Sequence, residues 1–479
     1  MSRTRRAFLS ATAAAGAALY LGAREVVTAP PDSPNVLLVV IDTLRADHVY
    51  GARARTPNID ALAAEGIHFT RTFPEAMPTV PARNSILSGR RMFPFRDWEY
   101  HQGLLHKPGW EPLERIDGAF TTVLRRAGWW TGYVTDNPFL GFSAPYEPLR
   151  RSFHRFIRHG GQVGGREGPV DAATLRHWLH PATRDAGKTE RVRRYIANAD
   201  YWQDERRSFA ANVFGSAVDV LPEAARRQPF ALVVDTFEPH EPWTPPRRYS
   251  RLYGDPEYAG PEPAMLAYAR VKDWLEPEET ELVLERLRVL YAAEVTMTDR
   301  WLGALLERLH ELNLERDTIV VLISDHGIQL GDHGWTGKIS IALHPELIQV
   351  PLVIVHPERL RAGQRSAYYA STHDLARTIL SMAGVSAPPR MAGADLSALF
   401  GGREPPPRAF AYGGYSDSHF LRDERWAYMS KNDGEHAQLF DLEADPRELR
   451  DVALEHPDLV AELRATVEER AGGPFEAYT

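Results

Sequence analysis

Residues 35–48 read NVLLVVIDTLRADH, and the first seven of them decide the fold. The run Asn35–Ile41 is almost wholly branched and apolar, with no polar alternation, and an acid, Asp42, follows at once. A run so short and so uniformly apolar reads as a strand buried on both faces. Similar β-branched runs recur at 131–135, Phe230–Thr236, Thr318–Ser324 and 350–355. Helical stretches lie between them. One covers 58–64 after the start signal Thr56-Pro57, and the longest runs from about 278 to 312, expected to break once. Strands alternating with helices predict an α/β protein, a mixed, mostly parallel sheet between two helical layers. After about Pro405 the texture changes to short aromatic runs at 409–412, 425–429 and Gln438–Asp441, then a helix over 458–471. That reads as a small C-terminal α+β subdomain, an antiparallel sheet with one helix. The expected units are a leader and linker over 1–34, a main domain over 35–404 and the subdomain over 405–479.

The chain has 479 residues, 43% hydrophobic and 25% charged, which excludes a disordered, collagen-like or polytopic membrane protein. The net charge of −8 gives no basis for a nucleic-acid partner. Among 56 basic residues the lysines are Lys107, Lys188, Lys272, Lys338 and Lys431. There is no cysteine, so disulfides, thiolate metal sites, a Cys nucleophile and a lipidated Cys are all excluded. The N-terminus places Arg5-Arg6 before an Ala-rich apolar stretch, the pattern of a twin-arginine export signal. The stretch is short for a membrane span. The expectation is export to the periplasm or beyond by the twin-arginine translocase, with an uncleaved N-terminal anchor as the alternative. A Pro-rich linker, 30–34, follows.

Three polar clusters fall where open α/β sheets place their sites, at the carboxyl ends of strands. Asp42 closes the first run and serves either as a metal-binding carboxylate or as a turn cap. Ser324-Asp325-His326-Gly327 closes another and brings a carboxylate and an imidazole to one point. With Asp42 these would make a metal site of mixed oxygen and nitrogen character, and alone they read equally as a hydrogen-bonded cap. The third cluster is Pro78-Thr79-Val80-Pro81-Ala82-Arg83, followed by Leu87-Ser88-Gly89-Arg90. Pro81 suits the first turn of a helix, which sets Thr79 at its N-terminus, where free N–H groups favour anions. A hydroxyl there can attack phosphorus or sulfur once a metal lowers its pKa. Arg83, one turn on, could fork onto anionic oxygens. The plain alternative is a Thr cap with a surface Arg.

Together these clusters resemble the sulfatase family of the alkaline phosphatase superfamily. The family signature of Cys or Ser, any residue, Pro, any residue, Arg stands here as Thr79-Val80-Pro81-Ala82-Arg83. Further matches are Thr56-Pro57-Asn58-Ile59-Asp60, Asp325-His326-Gly327 with Lys338, Val350-Pro351-Leu352, Asp374-Leu375-Ala376-Arg377-Thr378 and Leu439-Phe440-Asp441-Leu442. The resemblance spans about 35 to 463. It implies that Asp42, Asp325 and His326 bind one divalent cation together with the Thr79 oxygen. It implies that Thr79 is the nucleophile and that Arg83 orients it and stabilises the transition state. His240, within Glu238-Pro239-His240-Glu241-Pro242-Trp243, matches the family's histidine near the leaving group, which it is expected to protonate, and Lys338 its anion-binding lysine, expected to hold the developing charge.

The chain departs from the family in three places. Thr79 stands where sulfatases carry the Cys or Ser that becomes formylglycine, and oxidation of a threonine β-carbon would give a ketone. Threonine is the nucleophile in superfamily branches that act at phosphorus. A single Asp precedes Thr43 where many sulfatases carry two, and His326 replaces an Asn. An imidazole ligand favours manganese, zinc or magnesium over calcium. After Tyr133 the family's Gly-Lys-Trp-His-x-Gly element is absent, leaving Thr135 or Asn137 as candidate hydrogen-bond donors. The expectation is a metal-dependent ester hydrolase using Thr79 on phosphate or phosphonate mono- or diesters. The alternatives are sulfuric ester hydrolysis, transfer of a phospho group to a glycan or lipid, and, last, a non-catalytic binding protein. The partner is then an anionic small-molecule, glycan or lipid ester. A basic segment at 150–159 reads as a lid or a solvated loop, and His333, Asp332 and His344 as structural residues with the capacity for a second ion.

Overall fold

The computed structural model describes residues 29–30, 32–51, 53–162, 169–183, 186–198 and 204–475, so the leader's 1–28 lies outside the described residues. Strands are numbered here in chain order. In β1 (Asn35–Ile41) successive side chains enter two different cores. Leu37, Val39 and Ile41 pack into one, Val36, Leu38 and Val40 into the other. This is why the run carries no polar alternation: a strand covered on both faces has no solvent side.

Seven further strands complete the main sheet: β2 (Ile67–Thr72), β4 (Trp130–Thr135), β5 (Arg155–Arg158), β6 (Phe230–Thr236), β8 (Thr318–Ser324), β11 (Leu352–Val355) and β12 (Gln364–Ala370). Their order is β12-β2-β11-β8-β1-β6-β4-β5. β11 alone runs against its neighbours, so the sheet is mixed and mostly parallel, as expected. Helices Phe209–Ala225 and Pro277–Glu311 cover one face. Helices Thr79–Ser88, Phe120–Arg126 and Asp374–Met382 cover the other. Register sets the strand ends level: Ile41 lies opposite both Thr236 and Ser324, so β1, β6 and β8 finish in one row.

The remaining strands form two smaller sheets. β13 (Ala411–Tyr415), β14 (Ser418–Arg422), β15 (Trp426–Lys431) and β16 (Gln438–Asp441) make the expected antiparallel meander, backed by helix Pro457–Arg470. Its fifth strand comes from the other end of the chain. β3 (Ala76–Met77) pairs in parallel with β13, Ala76 opposite Gly414 and Met77 opposite Tyr415. The sheet therefore crosses the boundary read at 404–405. A three-stranded sheet of β7 (Ala269–Arg270), β10 (Trp335–Gly337) and β9 (Gln329–Leu330) sets Tyr268 and Lys338 at the ends of paired strands.

Two local expectations are corrected. The long helix is continuous over 35 residues. Gly303, which invites a break, sits where Asn58 crosses, and an added Cβ would meet Asn58 Oδ1 at 2.4 Å. Close packing thus explains the glycine, and tertiary contact overrides its weak helix propensity. The basic segment is neither lid nor loose loop. Its 155–158 portion is the edge strand β5, in which the Phe156 ring stacks on Tyr133 at 5.2 Å while Arg155 and Arg158 stay exposed. Charges on an edge discourage pairing with another sheet. No helix among the described residues is long and apolar enough to cross a membrane.

Candidate active site

The nucleophile candidate sits on a segment that is buried throughout. Thr79 opens helix Thr79–Ser88, all ten residues of which are buried, and the helix closes on Gly89 in the left-handed region at φ 63°. Thr79 is 3% exposed and lines a cavity of about 490 Å³. His240, Tyr268, Lys338, Trp110, Phe139 and Arg191 line the same cavity.

Beneath the helix start lies Arg83, 1% exposed. Its Nε donates to both Asp235 oxygens at 3.0 and 3.2 Å, and Nη2 to Asp235 Oδ1 at 2.7 Å. Nη1 donates to Asp325 Oδ2 at 2.5 Å and to the Thr79 carbonyl at 3.2 Å, and Nη2 lies 3.0 Å from Asp42 Oδ2. A guanidinium has five N–H groups; hydrogen bonds engage four of them, and the fifth lies on the Nη2 that stands in ion-pair range of Asp42. The expectation that Arg83 forks onto substrate oxygens is therefore corrected. Its fork is spent inside the protein, on three carboxylates and on the backbone of Thr79.

Asp42, Asp325 and His326, each with 0% exposure, come together as expected, offering ligand atoms within 4.8 Å of one another. Thr43 orients the two acids from a left-handed backbone position at φ 60°. Its N–H donates to Asp325 Oδ1 at 2.9 Å and its hydroxyl to Asp42 Oδ1 at 2.5 Å. Tyr291 Oη secures this turn by donating to the Thr43 carbonyl at 2.7 Å. Gly327 follows His326 because the Glu346 carbonyl passes 2.0 Å from where a Cβ would stand. His326 Nδ1 donates to the Gly327 carbonyl at 2.9 Å, which leaves Nε2 as the free lone pair.

Burial and repulsion from Asp325 push the Asp42 carboxyl well up, against the pull of Arg83. Burial would raise Asp325 too, but His326, Arg83 and hydrogen bonds hold it below the ordinary range. Burial also lowers the His326 imidazole. These groups fit a divalent cation on two grounds. Asp42 Oδ2 and His326 Nε2 are buried without a hydrogen-bond partner among the described residues. And one guanidinium cannot balance three ionised carboxylates, so a divalent cation would match the two charges left over when Asp42 ionises.

Across the cavity Lys338 Nζ lies 3.2 Å from His240 Nε2 and 3.0 and 3.1 Å from the Glu241 carboxylate oxygens. His240 Nδ1 donates to the Glu241 carbonyl at 2.7 Å, so Nε2 accepts from Lys338. Burial, reinforced by the Lys338 charge, brings the imidazole down to about 3. With Nδ1 spent on the Glu241 carbonyl and Nε2 turned to Lys338, the His240 ring offers no N–H to the cavity. The His240 ring stacks on Phe237 at 4.1 Å, and Gln162 Nε2 donates to its carbonyl at 2.6 Å.

Other candidates are placed elsewhere. Asn137 Oδ1 caps helix Pro138–Phe142 by accepting from Phe139 and Leu140, and Thr135 Oγ1 accepts from the Asn137 N–H at 2.9 Å. Both side chains are 0% exposed and serve that turn rather than a ligand. Asp332 pairs with Arg45, His333 with Glu346 and His344 with Glu448, so all three are structural, as taken by default. Sequence reading missed Asp235, whose Oδ2 also accepts from Tyr133 Oη at 2.8 Å, and Glu241. The signal for Asp235 was present: a charge inside the apolar run FALVVDT, one residue before its end.

Compared with known proteins, residues 34–385 match the family model described as Sulfatase, and residues 331–471 that described as N-sulphoglucosamine sulphohydrolase, C-terminal. An arylsulfatase of Clostridium perfringens is 25% identical over 488 residues, covering 93% of this chain and 96% of its own. A choline-sulfatase of Rhizobium meliloti is 26% identical over 444 residues, 88% of this chain and 82% of its own. Among solved structures, a phosphonate monoester hydrolase from Silicibacter pomeroyi superposes with a TM-score of 0.70 at 23% identity, over 92% of this chain and 96% of that one.

Proposed function

The chain belongs to the sulfatase family of hydrolases acting on ester bonds, and from that premise we propose that it cleaves phosphate or phosphonate mono- and diesters with Thr79 as the nucleophile. One observation carries the reading: Thr79 opens a helix and lines one cavity with His240 and Lys338, and the Arg83 that bonds its carbonyl also binds Asp42 and Asp325 of the Asp42, Asp325 and His326 cluster. Asp42, Asp325 and His326 would hold a divalent cation, which would supply Lewis-acid polarisation to lower the pKa of the Thr79 hydroxyl. The imidazole favours manganese, magnesium or zinc for that role over calcium.

Arg83 fixes the carboxylates and the Thr79 backbone, so that Oγ keeps its line of attack. The free N–H groups at the helix start favour the developing negative charge. Lys338 gives its proton to the departing oxygen, with His240 holding Nζ on station. A threonine ester then remains, for water to cleave at phosphorus. Formylglycine hydrate carries a second hydroxyl that can expel sulfate from the intermediate, and a threonine ester has none. That chemistry supports phosphorus over sulfur. Sulfate-ester hydrolysis is the second reading, on the names that the relatives carry. Export through the twin-arginine route, on the strength of Arg5-Arg6, completes the proposal.

The test is turnover of nitrophenyl phosphate, bis-nitrophenyl phosphate, a nitrophenyl phenylphosphonate and nitrophenyl sulfate by the manganese-loaded protein, beside Thr79→Ala. Fastest cleavage of a phosphorus ester, abolished in the variant, is expected. Fastest cleavage of the sulfate would transfer the assignment to sulfur, and full activity in Thr79→Ala would remove Thr79 from the reaction.

A further inference from the structure

Glu241 is an unusual carboxylate for its place. It is 0% exposed, sits in a loop between two prolines, and touches no candidate metal ligand. Both its oxygens lie within 3.1 Å of Lys338 Nζ. Tyr268 Oη donates to its Oε1, and Arg191 Nη2 stands 3.9 Å from the same oxygen. Its own backbone carbonyl accepts from His240 Nδ1. One residue thus binds both members of the pair that faces Thr79, the lysine through its side chain and the histidine through its backbone. Burial would raise its carboxyl, but His240, Lys338, Arg191 and the Tyr268 hydroxyl together hold it below the ordinary range.

Resting on the phosphoester reading above, we propose that Glu241 is a positioning residue that locks Lys338 in place as the proton donor to the leaving oxygen. A lysine ammonium sits on a flexible four-carbon stem and has three donors. One N–H shared between the Glu241 oxygens and one given to His240 Nε2 leave the third to point at the substrate. Tyr268 fixes the carboxylate from behind, and the Lys338 ammonium stands 5.0 Å from the Tyr268 ring centroid. As the bond from phosphorus to the leaving oxygen breaks, that oxygen takes the proton of the third N–H and departs as the alcohol. The Lys338 amine then takes a proton from the water that attacks phosphorus, and the Thr79 oxygen leaves in the ionised form in which it attacked. Protons and charge balance over the cycle without another reactant.

Proton donation matters in proportion to how poor the leaving group is. The experiment compares kcat/KM, which covers only the steps up to departure of the leaving group, for dinitrophenyl phosphate, whose phenolate needs no proton, and for phenyl phosphate, in the wild-type holoenzyme and in Glu241→Gln. The amide keeps the shape but replaces one acceptor with a donor facing Lys338. The expected result is a loss of about 100-fold on phenyl phosphate, the scale of general-acid catalysis, and less than about 5-fold on the dinitrophenyl ester. Tyr268→Phe, which removes one hydrogen bond and no charge, is expected to show the same selectivity in weaker form. It serves as the test should Glu241→Gln not fold. Equal losses on both esters would overturn the inference and reduce Glu241 to a structural part. Failure of the wild type to cleave either ester would instead overturn the phosphoester reading, and the inference with it.

Discussion

At the scale of the residue, the unit that organises this site is Arg83 rather than any of the groups that face the cavity. A single guanidinium, buried among Asp42, Asp235 and Asp325, holds three anions that would otherwise repel one another. Replacing it with methionine keeps much of the volume but strands the acids. Arg83→Met is expected to lose about 3–5 kcal/mol of stability, the cost of breaking a buried ion pair, read from denaturant unfolding. Arg83 alone cannot balance three ionised carboxylates, so a divalent cation that binds only the folded state should stabilise it. Manganese at about 100 times its Kd is expected to add about 2.7 kcal/mol, and a metal-independent melting temperature would contradict the site. Asp42, Thr79, Asp325, His326, His240 and Lys338 were all legible in the sequence, because each sits in a short motif beside a strand end or a helix start. Thr43, Tyr133, Glu241 and Tyr268 were not, since their roles rest on contacts with residues far off in the chain, and Asp235 showed only as a charge in an apolar run, without its partner.

At the scale of the element, the strand ends and the turns beyond them are what aim these groups. The turn after β1 is braced by Arg45, which is 0% exposed and pairs with Asp47 and Asp332. Burial would raise the Asp332 carboxyl, but the Arg45 charge and the Leu330 N–H bring it from 3.8 down to about 2. A carboxyl held lower in the folded state stabilises the fold above its unfolded value, and that stability is lost as pH falls from about 4 through 2. The contribution is about 2 kcal/mol. Asp332→Asn is expected to unfold more readily at pH 7 by that amount and to match the wild type below about pH 2, followed by urea melts across pH. A difference that persists at pH 2 would show that the carboxylate charge is not the cause. Elements whose pattern is local were read well: β1, β6, β8 and the last helix fall where composition placed them. The unbroken helix Pro277–Glu311 and the edge strand β5 were misread, because in each a neighbour in space decides the outcome.

At the scale of the whole molecule, the C-terminal sheet is part of the scaffold of the nucleophile. β3 ends at Met77, two residues before Thr79, and among the described residues it pairs with β13 alone. The Gly414 N–H donates to the Glu75 carbonyl at 3.0 Å, and a Cβ on Gly413 would meet that same oxygen at 2.6 Å. Gly413→Val should therefore push β3 and lower kcat on nitrophenyl phosphate by about 10-fold or more, as small displacements of a nucleophile do. An unchanged kcat would mean that the sheet only covers the site. The sequence by itself determined the α/β class, the buried parallel strands, the aromatic C-terminal unit and three clusters of reactive residues. It did so because branched apolar runs, start signals and motif spacings act over a few residues. Tertiary structure alone brought Asp42, Thr79, Asp235, Lys338 and the C-terminal sheet to one place, turned Arg83 inward, and set His240 Nε2 against Lys338. Those outcomes follow from strand register, burial and charge pairing between segments tens to hundreds of residues apart, which no local pattern encodes.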